Sequence, residues 1–475
     1  RVVEFPAPGR VSVAGIADLD GDGRRDLYAI SLTGIPPNSR RELRVHFQDA
    51  GGRFRTQPDW AGAVQPDAAA FDAAILGAEP RSDLLFLRRH SVLILSFPGR
   101  KPRFRELEIP GDPTAAVGPD ERGIDRLRMV LDLGAGPQIA VPGLGEYLLL
   151  APDGQLQARL DVGQRANYFA PSRPGPLVNE SEFETFLDFP RVELGDVDGD
   201  GRVDLLFASR HELRVFLQKP DGSFGAQADR QIALGRLSEK DLFRGSGSVR
   251  VAAGDLNGDQ HTDLLIATTT GGIREMRSET TVHLNRNGHW DLETPDRSSV
   301  VERGWNTLQV LDLDGDDKPE LVEARIPFSI LELIEALMTR EVDIEVSVFR
   351  TGENGVFSDP PWVETSLHMG IDFDSLSLEG FPPTLGADLN GDGINDRIES
   401  MDGEQITIYL GGGERPFQKT AVRQRLDAHG LVRFGDLDGN GLTDILLFSP
   451  GRPGSPVRVL LNRGTLPGTP RHAKD

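Results

Sequence analysis

The sequence predicts an all-β fold, a β-propeller of eight blades with four antiparallel strands each, and three observations carry this. An acidic ten-residue segment recurs six times. Strand-like runs flank each copy in the same order. A strand-like run at the amino end matches one missing at the carboxyl end. The copies are 18–27 (DLDGDGRRDL), 196–205 (DVDGDGRVDL), 255–264 (DLNGDQHTDL), 312–321 (DLDGDDKPEL), 388–397 (DLNGDGINDR) and 436–445 (DLDGNGLTDI). From 196 onward the starts lie 59, 57, 76 and 48 residues apart, and the 178-residue gap before them leaves room for two worn copies. One is 131–140 (LDLGAGPQIA), which lacks most of the carboxylates, and the other lies at 72–87.

Each unit repeats one local grammar. An apolar or alternating run precedes the acidic loop (191–195, 249–254), and a β-rich run follows it (205–208, 264–268, 445–448). A third run then ends in a Gly-rich turn and an aromatic residue (45–54, 215–224, 282–290, 348–357, 408–417), with 93–104 and 147–156 serving the worn units. Short runs bounded by Gly, Asn, Asp and Pro read as successive antiparallel hairpins. Radial repetition then protects sheet edges that would otherwise be exposed. The blades are expected at 10–64, 65–112, 125–164, 190–236, 247–296, 304–370, 383–424 and 428–462, in one domain over 1–475. The last unit stops after 457–462, so Val2–Phe5, within 1–8, is expected to complete it and close the ring. Seven blades is the alternative, should 72–104 not form a blade; a linear solenoid would want polar caps instead of a complementary strand. Two insertions break the period. Residues 165–190 are Pro-rich and acidic and read as a loop. Within 327–345, residues 329–340 (SILELIEALMTR) place apolar side chains at 330, 331, 333, 334, 337 and 338, one face of a helix.

Composition narrows the function. The 475 residues carry 74 acidic and 52 basic side chains, a net charge of −22, which argues against nucleic-acid binding. There is no cysteine, so disulfides, thiolate catalysis and cysteine-ligated metal sites are excluded. No apolar run approaches the roughly 18 residues that a membrane helix needs. A chain opening at Arg1 without Met or a charged-then-apolar leader reads as processed or trimmed.

The acidic loops point to a metal. Counting the first Asp as position 1, oxygens at positions 1, 3, 5 and 9 are drawn together by a tight turn. Glycine stands at position 4 in every copy: Gly21, Gly199, Gly258, Gly315, Gly391 and Gly439. The carbonyl of position 7 can add a ligand, which leaves its side chain indifferent; Arg24, Arg202, His261, Lys318, Ile394 and Leu442 occupy it. Three or four carboxylates on one such loop repel each other unless a hard cation joins them. An all-oxygen donor set with flexible geometry favours Ca²⁺ over Zn²⁺ or Mg²⁺. Asp-Gly and Asn-Gly also make good turns unaided, but six copies in register outweigh that reading. The EF-hand is rejected. Position 12 is Glu in only two copies (Glu323, Glu399), the others being Ala29, Phe207, Ile266 and Leu447, and the flanks are strands.

These loops and their spacing resemble FG-GAP/VCBS-type repeats, the calcium-loop blades of integrin α-chain propellers and of many bacterial exported proteins. The resemblance spans nearly the whole chain and is specific for fold and calcium, but says little about activity. Position by position it implies six Ca²⁺ sites. The ligands would be Asp18, Asp20, Asp22 and Asp26; Asp196, Asp198, Asp200 and Asp204; and Asp255, Asn257, Asp259 and Asp263. The other three sets are Asp312, Asp314, Asp316 and Glu320; Asp388, Asn390, Asp392 and Asp396; and Asp436, Asp438, Asn440 and Asp444. Two loops lack Gly at position 6 (Gln260, Asp317), and the worn copies should be empty. Sites with Kd of roughly 10⁻⁴–10⁻³ M fill only outside the cytosol, so a periplasmic, surface or extracellular location is expected.

Motifs for chemistry are missing: there is no HExxH, Walker loop or G-x-S-x-G elbow. Gly134 and Gly136 lack a third glycine and a helix, and Gly411–Gly413 sits in a hairpin turn. His211, His283 and His289 read as surface or turn residues, and His368 and His429 as loop residues without a paired nucleophile. The leading expectation is a non-enzymatic interaction or scaffold protein of a surface or periplasmic assembly, docking protein partners through helix 329–340 or the inter-blade loops. The alternatives are a polysaccharide lyase, which the same resemblance allows, and a glycan-binding propeller. The four tyrosines (Tyr28, Tyr147, Tyr168, Tyr409) offer a lyase a thin choice of base. The four tryptophans (Trp60, Trp290, Trp305, Trp362) offer little stacking surface, with Trp290 structural.

Overall fold

A computed structural model describes residues 1–35, 38–111, 124–163, 165–169, 184–188, 190–272, 275–316, 318–327, 330–352, 356–372, 377–412, 415–450 and 452–466. Position 6 of the fourth loop (Asp317), Ser329 and Gly413 lie outside them. The chain is all-β, with eight meander sheets and two short α-helices among the described residues. Blade 4 shows the plan. Arg191–Gly195 pairs antiparallel with Asp204–Ala208, which pairs with Glu212–Phe216, which pairs with Arg230–Ala233. The second strand is buried at every position and the fourth alternates. A strand flanked by neighbours within its sheet and by blades on both faces selects a continuous apolar run (Leu205, Leu206, Phe207), whereas an outer strand keeps one face wet.

Both worn units are complete blades. Blade 2 is built from Ala70–Ile75, Ser82–Leu87, Ser91–Ser96 and Arg103–Glu108, and blade 3 from Val130–Asp132, Pro137–Pro142, Glu146–Leu150 and Leu156–Asp161. That removes the seven-bladed alternative. Blade 2 gains a fifth strand at its inner edge, where Asp125–Arg126 runs parallel to Ala70–Phe71. Val2–Phe5 pairs antiparallel with Val457–Leu460, Phe5 opposite Val457, and supplies the fourth strand of blade 8. Phe5 is buried and packs edge-on against His46, 4.7 Å between centroids, and Phe54 of blade 1. The ring therefore closes through hydrogen bonds within blade 8 and through aromatic packing onto blade 1.

The core lies between blades. Leu149 and Leu160 of blade 3 pack with Phe207 and Phe216 of blade 4, and Leu446 and Val459 of blade 8 with Leu27 and Ala29 of blade 1. In a meander, the first-to-second and third-to-fourth connections share one face of the disc. The acidic loops are first-to-second connections, so all six lie on that face. The insertions lie on the other. Helix α1 (Glu239–Arg244) joins blades 4 and 5, capped by Ser238 and ended by Gly245 at φ 67°. Helix α2 (Ile330–Thr339) joins the second and third strands of blade 6, leaving Leu337 and Met338 exposed. Segment 165–190, read from its prolines as a loop, contributes an antiparallel hairpin, Arg165–Phe169 with Glu184–Asp188, between blades 3 and 4. The prolines at 171, 174 and 176 lie outside the described residues.

Candidate metal centres

Each acidic loop wraps its own backbone around position 1. Asp196 accepts from Gly199 N (2.8 Å) and Asp200 N (3.1 Å) through Oδ1 and from Gly201 N (2.8 Å) through Oδ2. The loops opening at Asp18, Asp255, Asp388 and Asp436 repeat these bonds from positions 4 and 6. In the fourth loop Asp312 takes Gly315 N. The position-5 side chain accepts from the N–H of position 7: Asp22 from Arg24, Asp200 from Arg202, Asp259 from His261, Asp316 from Lys318, Asp392 from Ile394 and Asn440 from Leu442. Position 4 is a left-handed glycine in all six loops. Gln260, which replaces glycine at position 6, takes the same conformation at φ 69° and still donates to Asp255. The hydrogen bonds hold it there despite the steric cost.

Among the described residues, four loops bring three carboxylates together with ligand oxygens within 4.8 Å. They are Asp18, Asp20 and Asp22; Asp196, Asp198 and Asp204; Asp312, Asp314 and Asp316; and Asp436, Asp438 and Asp444. The loops at Asp255 and Asp388 do not, and their third position explains it. Asn257 and Asn390 turn their amide N–H toward Asp259 (3.0 Å) and Asp392 (2.8 Å), which relieves repulsion without a cation. In three of these loops the position-3 side chain is nearly buried, 4% exposed at Asp20, 14% at Asp314 and 3% at Asp438, whereas Asp198 is exposed. Guanidinium groups approach these three: Arg100 Nε at 2.7 Å from Asp20, Arg463 Nη1 at 3.0 Å from Asp438, and Arg350 against Asp314. Even so, Oδ1 of Asp314 and Oδ1 of Asp438 have no hydrogen-bond donor. Buried carboxylate oxygens without donors, set among two further carboxylates, are the environment a hard cation fits.

Position 9 has a second task. Its acid is fully buried in every copy (Asp26, Asp204, Asp263, Glu320, Asp396, Asp444). One oxygen accepts the N–H of position 2 at 2.7–2.9 Å, from Leu19, Val197, Leu256, Leu313, Leu389 and Leu437. In five copies the other accepts an N–H from the hairpin after the third strand: Gln48, Gln218, Asn285, Gly411 and Asn462. The acid thus ties the loop to its own sheet. Burial, helped by the neighbouring carboxylates, pushes Asp26 and Glu320 up to about 7 and Asp263, Asp396 and Asp444 up to about 6, and raises Asp204 too. A cation among those carboxylates would reverse this effect.

Sequence reasoning missed the residues that join one loop to the next. Gln218 Nε2 donates to Leu133 O of blade 3 (2.9 Å) and Asn285 Nδ2 to Val197 O of blade 4 (2.8 Å). Asn462 donates to Leu389 O of blade 7, and Gln48 to Leu437 O across the ring closure. In blade 7 the equivalent hairpin residue is Gly411, and Asn395 donates instead to Asp312 O of blade 6 (2.7 Å). An amide side chain of one blade therefore holds a loop carbonyl of the blade before it, that of position 2 in four cases and of position 1 (Asp312) for blade 7. The signal was a recurrent Phe or Leu followed by Gln or Asn at the end of each third strand (47–48, 217–218, 284–285, 461–462). A second repeated acid, before the fourth strand, is also structural: Asp59, Asp229 and Asp296 accept from Phe47, Leu217 and Leu284 N.

The histidines correct their sequence reading in two places. His283 is fully buried, not a surface or turn residue. Its Nδ1 lies 2.7 Å from Asp291 O and its Nε2 3.0 Å from Arg236 Nη2, and burial depresses its pKa. His368 lies in the strand Val363–Asp372, not a loop, and pairs with Asp343 at 2.6 Å. Tyr28 and Tyr147 are buried, with Tyr147 pushed up to about 12 by burial and donating to Pro190 O, so neither can serve as a base. Trp290 Nε1 donates to Thr262 O.

A model of FG-GAP-like repeats matches residues 196–266, 255–323 and 388–470. No curated protein matches. Solved structures with some likeness include an Agrocybe aegerita lectin that recognises non-reducing terminal N-acetylglucosamine (14% identity, 94% of this chain and 86% of that one, TM-score 0.37). Others are the V. cholerae biofilm matrix protein Bap1 (12% identity, 98% and 89%, TM-score 0.36) and Sqt1 from Chaetomium thermophilum (12% identity, 96% and 98%, TM-score 0.45). The matched FG-GAP-like repeats thus fall on blades 4 and 5, the start of blade 6, and blades 7 and 8 of this eight-bladed propeller.

Proposed function

We propose that this chain is an exported propeller, rigidified by Ca²⁺ in its acidic loops, that works as a non-enzymatic interaction or scaffold subunit of a surface or periplasmic assembly. One observation carries the reading: four loops on one face each gather three carboxylates, in three of them around a nearly buried position-3 side chain, and Asp314 and Asp438 there have oxygens without a donor. The cation would be held by Asp18, Asp20 and Asp22; by Asp196, Asp198 and Asp204; by Asp312, Asp314 and Asp316; and by Asp436, Asp438 and Asp444. The Asn-bearing loops at Asp255 and Asp388 would bind more weakly. Bound Ca²⁺ supplies charge compensation and cross-links each loop.

With Ca²⁺ near ~1 mM and Kd near ~0.1 mM, each site adds about 1.4 kcal/mol, and four independent sites about 6. That is comparable with the roughly 5–15 kcal/mol net stability of a domain. In cytosol the same loops would stay empty, which supports export. The insertions on the opposite face, including α2 with its exposed Leu337 and Met338, are the natural docking elements. Thermal melting with 1 mM Ca²⁺ against excess EGTA tests this: a fall of several degrees on chelation is expected, and coincident melts would refute it.

A further inference from the structure

Five acidic segments place a buried aliphatic residue directly after the position-9 acid: Leu27, Leu205, Leu264, Leu321 and Ile445. Blade 7 places Arg397 there. The side chain at this position faces the preceding blade, as Leu27 does in packing against Leu446 and Val459 of blade 8. Arg397 accordingly faces blade 6, and it lines a cavity of about 220 Å³ between blades 6 and 7. The walls are mostly apolar, with Val322, Ala324 and Val346 on one side and Pro383, Leu385 and Phe417 on the other.

A cation in such surroundings is costly unless its donors are used. The Arg397 side chain is 12% exposed and stacks 4.1 Å over the Tyr409 ring. Its Nε lies 3.2 Å from Glu399 Oε2, yet neither atom has a hydrogen-bond partner. Among the described residues none accepts a hydrogen bond from this guanidinium. One blade of six thus gives up a core leucine for a charge whose donors are unused, at the mouth of an apolar space. The Glu399 ion pair and the Tyr409 and Phe417 rings offset part of the cost but leave the hydrogen-bond donors unused, and such a break in a local rule marks a functional position.

We propose that this cavity binds a small amphipathic monocarboxylate. Its apolar part would fill the space between blades 6 and 7, and its carboxylate would accept from the unused Arg397 donors. Size sets the class. A dry apolar cavity of ~150 Å³ takes a benzene ring, so one of ~220 Å³ suits a chain of about eight carbons.

Calorimetric titration of the calcium-loaded protein with octanoate tests it, with octanol as the same tail without charge. One octanoate per chain is expected, with octanol at least about tenfold weaker. Arg397→Leu restores the residue the other segments use, so it should fold. It should weaken octanoate at least about tenfold and leave octanol unchanged. Ala324→Leu, which fills the cavity, should abolish binding of both. Absence of saturable octanoate binding, or equal octanoate affinity in wild type and Arg397→Leu, would overturn the proposal and leave a packing void. So would an octanoate affinity untouched by Ala324→Leu.

Discussion

Replacing Asn285 with Ala removes one inter-blade stitch, and its cost can be worked from the contacts. The Asn285 side chain donates to Val197 O (2.8 Å) and Thr262 O (3.1 Å) and accepts from Gly288 N (2.7 Å), all buried. Alanine leaves two carbonyls and one N–H without that partner. A typical buried hydrogen bond nets about 1 kcal/mol, and an orphaned buried group costs about 1–3. Some of the three groups will recruit water, so the expected loss is about 2–4 kcal/mol. Urea unfolding followed by tryptophan fluorescence reads it as a lower midpoint with an unchanged slope. Gln157→Ala, which removes an exposed 3.5 Å contact, serves as the control and should change stability by less than about 0.5 kcal/mol. If Asn285→Ala matched that control, the amide stitches would not hold blade to blade, and packing alone would account for the ring.

Other consequences are open to test. Gln260→Gly should stabilise the third loop by about 1 kcal/mol, since glycine adopts φ 69° without the steric cost that Gln260 bears; a lower unfolding midpoint would contradict this. Phe5→Ala, which empties the contact between the closing strand and blade 1, should cost about 3–5 kcal/mol by the same unfolding assay; a loss under about 1 kcal/mol would mean that closure does not depend on the strand's packing. His283 has a folded pKa depressed below its unfolded value, so the stability it contributes is present above the unfolded pKa of about 6.5 and lost as pH falls. The drop in urea midpoint between pH 7.5 and 5.5, measured in Ca²⁺, should be smaller in His283→Gln; an identical drop would remove His283 from the account.

What the sequence disclosed and what it hid follow from the range of the interactions. The blade count came from spacing, because each blade repeats the same local pattern and Val2–Phe5 matches a gap at the other end. The acidic loops were legible because their Asp, Asn and Gly residues act within nine positions of one another. Position 9 was only half legible. Its spacing suggested a ligand, while its burial beneath two backbone N–H groups depends on the third-strand hairpin, 14 to 22 residues away in four of the copies. The amide stitches act between blades, and a lone Gln48 or Asn462 cannot announce a carbonyl nearly four hundred or seventy-odd residues distant. His283 was misread because its partners come from its own strand and from two separate loops, at Asp291 and Arg236, and no local pattern records them. The hairpin at 165–188 was hidden because its two strands are separated by proline-rich chain that resembles a loop by composition.

The account rests on cations in the acidic loops, and metal content measures that directly. After equilibrium dialysis against 1 mM CaCl₂ and removal of free ion, elemental analysis should find at least four Ca²⁺ per chain. Asp438→Ala should lower that count by one through the loop at Asp436. A chain carrying no Ca²⁺ above the dialysis background would contradict it, and the acidic loops would then be turns that hydrogen bonds and arginines hold together without a metal.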